Sequence, residues 1–211
     1  MKKITILLLI IGGYINAQTK LYVHPDGDNY SNNTSAIAIL PLKVQVKLRP
    51  KQLKDFTSEQ IIQMQKDEAL DIQKAMHSWF LTRKKRGSFD KNIQTPIRTN
   101  ALLKKAGIDI HSLNEYLPSE LGEILGVECI IMGTFETSKP MSDAASIAIG
   151  AIFGAFGATQ SATCNIDFYN VSDDELVVNY LKNIRGSLGS NSQDLINILM
   201  RKVTRRIPYT K

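Results

Sequence analysis

The sequence predicts an α+β (mixed α/β) fold: a mostly antiparallel sheet of about four strands with one parallel pair, and helices packed against it. Three observations predict it. The apolar runs 36–42 and 127–135 read as strands buried on both faces. Helical periodicity fills the interval between them, which makes those two strands parallel. Two later segments, 162–171 and 175–182, flank Ser172-Asp173-Asp174 as a hairpin, and a last helix follows.

Taken in order, the chain begins Met1-Lys2-Lys3, continues with an apolar run from Ile4 to Ile11, and reaches Ile15-Asn16-Ala17 before Gln18. That is the pattern of a secretory signal peptide, residues 1–17. The apolar run is short for a membrane span. No cysteine stands at the cleavage site after it, so the expectation is an exported periplasmic or outer-membrane-associated chain that is not a lipoprotein. Residues 18–34 carry Asp26-Gly27-Asp28-Asn29 and Ser31-Asn32-Asn33-Thr34, turn formers that read as a flexible leader. A single domain, 35–211, follows.

The charge is weaker evidence than it looks. Lys and Arg number 26 against 20 Asp and Glu, a net +6. Cleavage after Ala17 removes Lys2 and Lys3 and no acid, leaving +4. An exported chain also leaves nucleic acid behind, so no nucleic-acid partner is expected, and acidic envelope surfaces or solubility account for the balance.

Ala36-Ile37-Ala38-Ile39-Leu40-Pro41-Leu42 is the first strand, with Val44, Val46 and Leu48 as a half-exposed continuation. Thr57 and Gln60 have capping-box spacing. Ile62, Ala69, Ile72, Met76, Trp79 and Phe80 then recur at helical spacing, predicting a helix from 58 to about 83. Arg83-Lys84-Lys85-Arg86-Gly87 closes it. Cations there suit the helix dipole and precede a glycine C-cap. A patch for an anionic ligand is the other reading. Thr95-Pro96 opens a second helix ended by Gly107, and Pro118 opens a third ended by Gly126. Asp194 to Arg206 is the last, stopped by Pro208.

One segment does not suit a loop. Within an insertion at about 140–160, residues 144–158 carry no charge although they join two strands. Ile147, Ile149, Ile152, Phe153 and Phe156 are interleaved with Gly150, Gly154 and Gly157. Gly150 and Gly154 have the small-xxx-small spacing that lets backbones approach closely. The run fits a buried element, an oligomer contact or a membrane contact. In lipid a lone hairpin leaves its edges unpaired, so the last reading requires oligomerisation.

Two cysteines, Cys129 and Cys164, lie in strand-like contexts. If their strands pair about a loop centred near Ser146–Ile147, the two are opposed and within disulfide reach. Buried free thiols are the alternative. No phosphate-binding loop, nucleophile elbow or Cys-x-x-Cys is present. His24, His77 and His111 are scattered without metal-ligand spacing, and Asp173-Asp174-Glu175 lacks the remaining pattern of a calcium loop. No cofactor, metal or catalytic residue is expected.

Three stretches carry a resemblance. They are the 36–42 strand, Leu125-Gly126-Val127-Glu128 running through Gly133-Thr134-Phe135, and Asn165 to Val178 around Val171-Ser172-Asp173-Asp174-Glu175. Together they resemble the periplasmic α/β domain shared by the curli secretion channel CsgG, the activator LpoB and the N-terminal domain of TolB. In the channel, a glycine-rich membrane hairpin leaves the domain where 136–161 lies here. This chain departs from the channel in lacking a lipobox cysteine, room for a second hairpin, and pore-like alternation in 144–158. The resemblance therefore implies a non-enzymatic envelope domain that binds protein partners, with 144–158 as the candidate surface for self-association. Alternatives are an assembly or secretion factor that inserts 144–158 into a membrane, and an envelope hydrolase whose site only folding builds.

Overall fold

In a computed structural model of the chain, residues 19–47, 54, 56–137, 161–185, 192–203 and 206–210 are described. The signal-peptide segment and the 144–158 run, with its eight candidate contact residues, lie outside them. The described strands are β1 (Thr19–Val23), β2 (Ala36–Ile39), β3 (Lys43–Val46), β4 (Asn92–Ile93), β5 (Cys129–Thr137), β6 (Ser161–Asn170) and β7 (Leu176–Arg185). The helices are α1 (Gly27–Asn33), α2 (Ser58–Lys85), α3 (Pro96–Lys105), α4 (Pro118–Leu125) and α5 (Ser192–Val203).

The α+β class holds, and the sheet is wider than expected. Its order is β1-β7-β6-β5-β2-β4, with β3 also beside β5. The expected parallel pair is β2 with β5, Ile37 facing Cys129 and Ile39 facing Ile131. β4 and β3 add two further parallel pairings, and β5, β6, β7 and β1 run antiparallel in turn.

The double-faced burial of β2 follows from its sequence. Ile37 and Ile39 enter the larger core cluster and Ala38 and Leu40 the smaller one on the other face. Pro41 then interrupts the strand. Pairing against β5 resumes at Lys43 opposite Thr134, so β2–β3 carries one more residue than β5 between the paired stretches, a bulge. Gly133 of β5 lies at this interruption, with φ 153°. A Cβ there would sit 2.0 Å from the carbonyl oxygen of Asn165, so the close approach of β6 requires glycine.

Helix boundaries follow local chemistry. Gln60 N donates to Thr57 Oγ1 at 3.3 Å, and Thr57 N donates to Gln60 Oε1 at 2.8 Å, which completes the capping box of α2. Thr95 caps α3 ahead of Pro96. Gly126 ends α4 in the left-handed region at φ 66°. Inside the fold, buried Gln73 donates to the Ile39 carbonyl at 2.7 Å and exchanges hydrogen bonds with Asn100, tying α2 to β2 and α3.

Two expectations are corrected. The 18–34 leader is not a free tail over its described part. β1 pairs with β7 from Thr19–Lys182 to Val23–Val178. α1 packs beneath the C-terminal segment, where Ser31 Oγ donates to the Pro208 carbonyl at 2.9 Å and Gly27 lies against Pro208. An edge strand needs only backbone pairing with its neighbour, which turn-forming residues nearby do not prevent.

The cysteines are not opposed. Cys129 faces Asn170, and Cys164 faces Phe135. Both are free and buried. On the same face of adjacent strands they are six positions apart, roughly 20 Å at the strand rise. That removes both the disulfide and its register. Burial pushes the Cys129 thiol up to about 12, and Cys164 rises for the same reason.

Candidate functional site

A groove of about 470 Å³ opens where α2 and α5 lie together over the larger core. The α2 wall is Ser78, Trp79, Thr82, Arg83 and the C-cap Arg86, side chains three and four apart on one helical face. The α5 wall is Asn197, Ile198 and Arg201. Beneath them the amphipathic inner faces of both helices, including Met76, Phe80, Leu199 and Val203, are buried against the sheet.

The run Arg83 to Arg86 divides between the two readings of it. Lys84 Nζ donates to the Lys91 carbonyl at 2.9 Å and to Asn92 Oδ1 at 3.1 Å, holding the following loop. Arg83 turns back over the Trp79 ring, 4.5 Å from its centroid, a cation–π contact. Arg86 stays exposed at the groove. Thr82 Oγ1 donates to the Ser78 carbonyl at 3.0 Å, so its lone pairs remain directed outward.

Below α5, β7 contributes Lys182. Its side chain follows Val178 and Tyr180 on the core-facing side and is 4% exposed. Its ammonium has no hydrogen-bond partner among the described residues. Burial is the main force lowering its pKa to about 8, and the like charges of Lys202, Arg201 and Arg206 add to it. Arg201 thus belongs to both the groove and the Lys182 cluster.

Sequence reasoning identified the basic end of α2 but not this assembly. Arg86 and Arg201 are distant in sequence and meet only because α2 and α5 share one face of the sheet. Lys182 did leave a signal: the period-two pattern puts it in register with Val178 and Tyr180, on the apolar set of its strand.

The acidic turn has a local explanation. Asp174, at φ 60°, accepts from Ser119 N at 2.6 Å and Ser119 Oγ at 3.0 Å, fastening the hairpin to the start of α4. Asp173 accepts from Asn170 Nδ2 at 2.7 Å and from the Tyr30 hydroxyl at 3.0 Å. Glu128 caps the entrance of β2, accepting from Ala36 N at 2.7 Å and Ser35 Oγ at 2.9 Å. Burial works against its charge, but these bonds outweigh it and hold the carboxyl below its usual value. Among the described residues, no group of three His, Cys, Asp or Glu is placed to hold a metal ion. No helix among them is long and apolar enough to cross a membrane.

No protein-family model matches the chain, and no curated protein matches its sequence. Several solved structures are similar to it. Lipoprotein GNA1162 from Neisseria meningitidis shares 8% identity at a TM-score of 0.45, over 82% of this chain and 96% of that one. The PelC dodecamer from Paraburkholderia phytofirmans shares 12% at 0.43, over 88% and 93%. The LpoB C-terminal domain from Salmonella enterica shares 5% at 0.34, over 72% and 83%.

Proposed function

We propose that the chain is an exported cell-envelope domain that binds protein partners, and that copies associate through the uncharged run 144–158. The observation that carries this reading is the position of that run in the topology. β5 and β6 pair without interruption from Cys129–Asn170 to Thr137–Ala162. In sequence the run therefore joins two strands that are paired as far as Thr137 and Ala162, in the middle of the sheet. A hairpin tip is a place where a folded domain tolerates a contact element without rebuilding its core. Polar residues belong there when the tip faces water, whereas 144–158 is free of charge and rich in Ile, Phe, Gly and Ala.

The test compares the mature chain with a deletion of 144–158, by sedimentation velocity and by flotation with lipid vesicles. Expected is a deletion variant with an unchanged circular dichroism spectrum and a monomeric mass, against an oligomeric intact chain. Flotation of the intact chain alone would instead favour membrane insertion of the run. A monomeric intact chain that does not float, or a deletion that keeps both behaviours, overturns the reading.

A further inference from the structure

Arg86 and Arg201 of the α2/α5 groove, and Lys182 below it, carry positive charge that no carboxylate among the described residues pairs with. Arg86 and Arg201 make no ion pair with any carboxylate among the described residues, in contrast to His24, Lys47, Lys74 and Lys91. Lys182 is buried with no hydrogen-bond partner among the described residues, and the like charges of Lys202, Arg201 and Arg206 act on it. Helix-dipole attraction explains one or two cations in a last turn. It does not explain a buried ammonium set among three further cations, because each like charge raises the free energy of the folded state. An anion held by Arg86 and Arg201 would offset the groove's charge; Lys182 does not line the groove and is linked to it through Arg201.

We propose that this groove binds a phosphate-bearing ligand, with Arg86 and Arg201 clasping the phosphate oxygens and the Arg83–Trp79 pair walling the ligand. The chemistry fits phosphate in three ways. Guanidinium forks pair bidentately with phosphate oxygens. A multiply charged group matches several converging cations better than a lone carboxylate does. The groove, at about 470 Å³, is larger than a bare ion needs, and Ile198 with the edge of Trp79 offers an apolar surface to the rest of an ester. The phosphate could be that of a soluble ester or of a lipid headgroup, and the experiment separates the two.

Trp79 is the single tryptophan of the chain, so its fluorescence reports on this groove alone. The intact mature protein is titrated at constant ionic strength with pyrophosphate, and separately with vesicles of phosphatidic acid in phosphatidylcholine and of phosphatidylcholine alone. A saturable Trp79 response is expected with pyrophosphate, with phosphatidic acid, or with both, and none with phosphatidylcholine. A response to phosphatidic acid alone assigns the ligand to lipid. Arg86→Gln and Arg201→Gln should each weaken the midpoint at least tenfold. Lys105→Gln, an equal charge change on exposed α3, should leave it unchanged. Circular dichroism confirms that the variants fold, and ligand should raise the melting temperature of the intact chain more than that of Arg201→Gln. No saturable response to either phosphate source, or equal weakening by Lys105→Gln, overturns the proposal.

Discussion

Asp167 of β6 and Lys182 of β7 are ionisable residues placed on neighbouring strands but on opposite faces of the sheet. Asp167 lies on the face away from α2 and α5. It accepts from Asn165 Nδ2 at 2.6 Å and from Asn179 Nδ2 at 2.5 Å, and Asn179 also donates to Asn165 Oδ1 at 2.8 Å. Burial raises its pKa and the two asparagines oppose that rise. Lys182, facing α5 between Thr19 and Cys164 of the neighbouring strands, has no hydrogen-bond partner for its ammonium among the described residues, and the charges acting on it are those of Lys202, Arg201 and Arg206. A charge that stays in a fold is normally paired or hydrogen-bonded. The first network is complete within the chain. The second has no such completion among the described residues.

The sharpest way to break this contrast is to damage the complete network. Asn179→Ala leaves the carboxylate short of a donor and should destabilise the fold by roughly 2–3 kcal/mol in urea unfolding at pH 7. The same treatment of the incomplete one should have the opposite sign. Lys182→Met removes a buried unpaired charge and should stabilise by about 1–2 kcal/mol in a buffer free of phosphate. Destabilisation by Lys182→Met there would mean that the ammonium has a partner.

A smaller effect follows from pH. The folded value of Lys182, about 8, lies below its ordinary 10.5. Between the two the unfolded chain binds more protons, so stability rises with pH across that window. The deficit of the wild type relative to Lys182→Met should be full at pH 7 and shrink by pH 10. The smallest change expected is Asp167→Asn, a loss of about 1 kcal/mol at pH 7: one oxygen still accepts from an asparagine, the other becomes an amino group facing a donor, and removal of the half-buried charge offsets part of that loss. Asp167 has a raised folded value, so its contribution is largest at low pH and is lost as pH rises through that value. The wild type should therefore gain on Asp167→Asn as the solution is acidified.

Much of the fold was legible in the sequence where structure is decided locally. Thr57 with Gln60, Thr95 with Pro96, and Gly126 set helix ends through bonds within a few residues. The continuous apolar character of 36–40 and 129–132 announced strands buried on both faces, and Ile37/Ala38 and Cys129/Ile130 do divide between the two cores. What was not legible depends on distant partners. β1 is exposed along most of its length and exists through pairing with β7, so its own residues carry little hydrophobic signal. The β5–β6 register, which separates Cys129 from Cys164, is set by the packing of whole strands rather than by either cysteine. The groove joins helices from opposite ends of the domain, and only the basic end of α2 hinted at it.

Lys182, buried beside Arg201 with no hydrogen-bond partner among the described residues, should sense an anion held at the groove, and its own titration tests that most directly. The Cε–Hε resonance of Lys182, assigned by its loss in Lys182→Met, is followed by NMR from pH 6 to 12 with and without saturating pyrophosphate. The expected midpoint is near 8 without the anion and moves up toward the ordinary 10.5 with it. A midpoint already near 10.5 in the free protein, or one that pyrophosphate does not move, would contradict it.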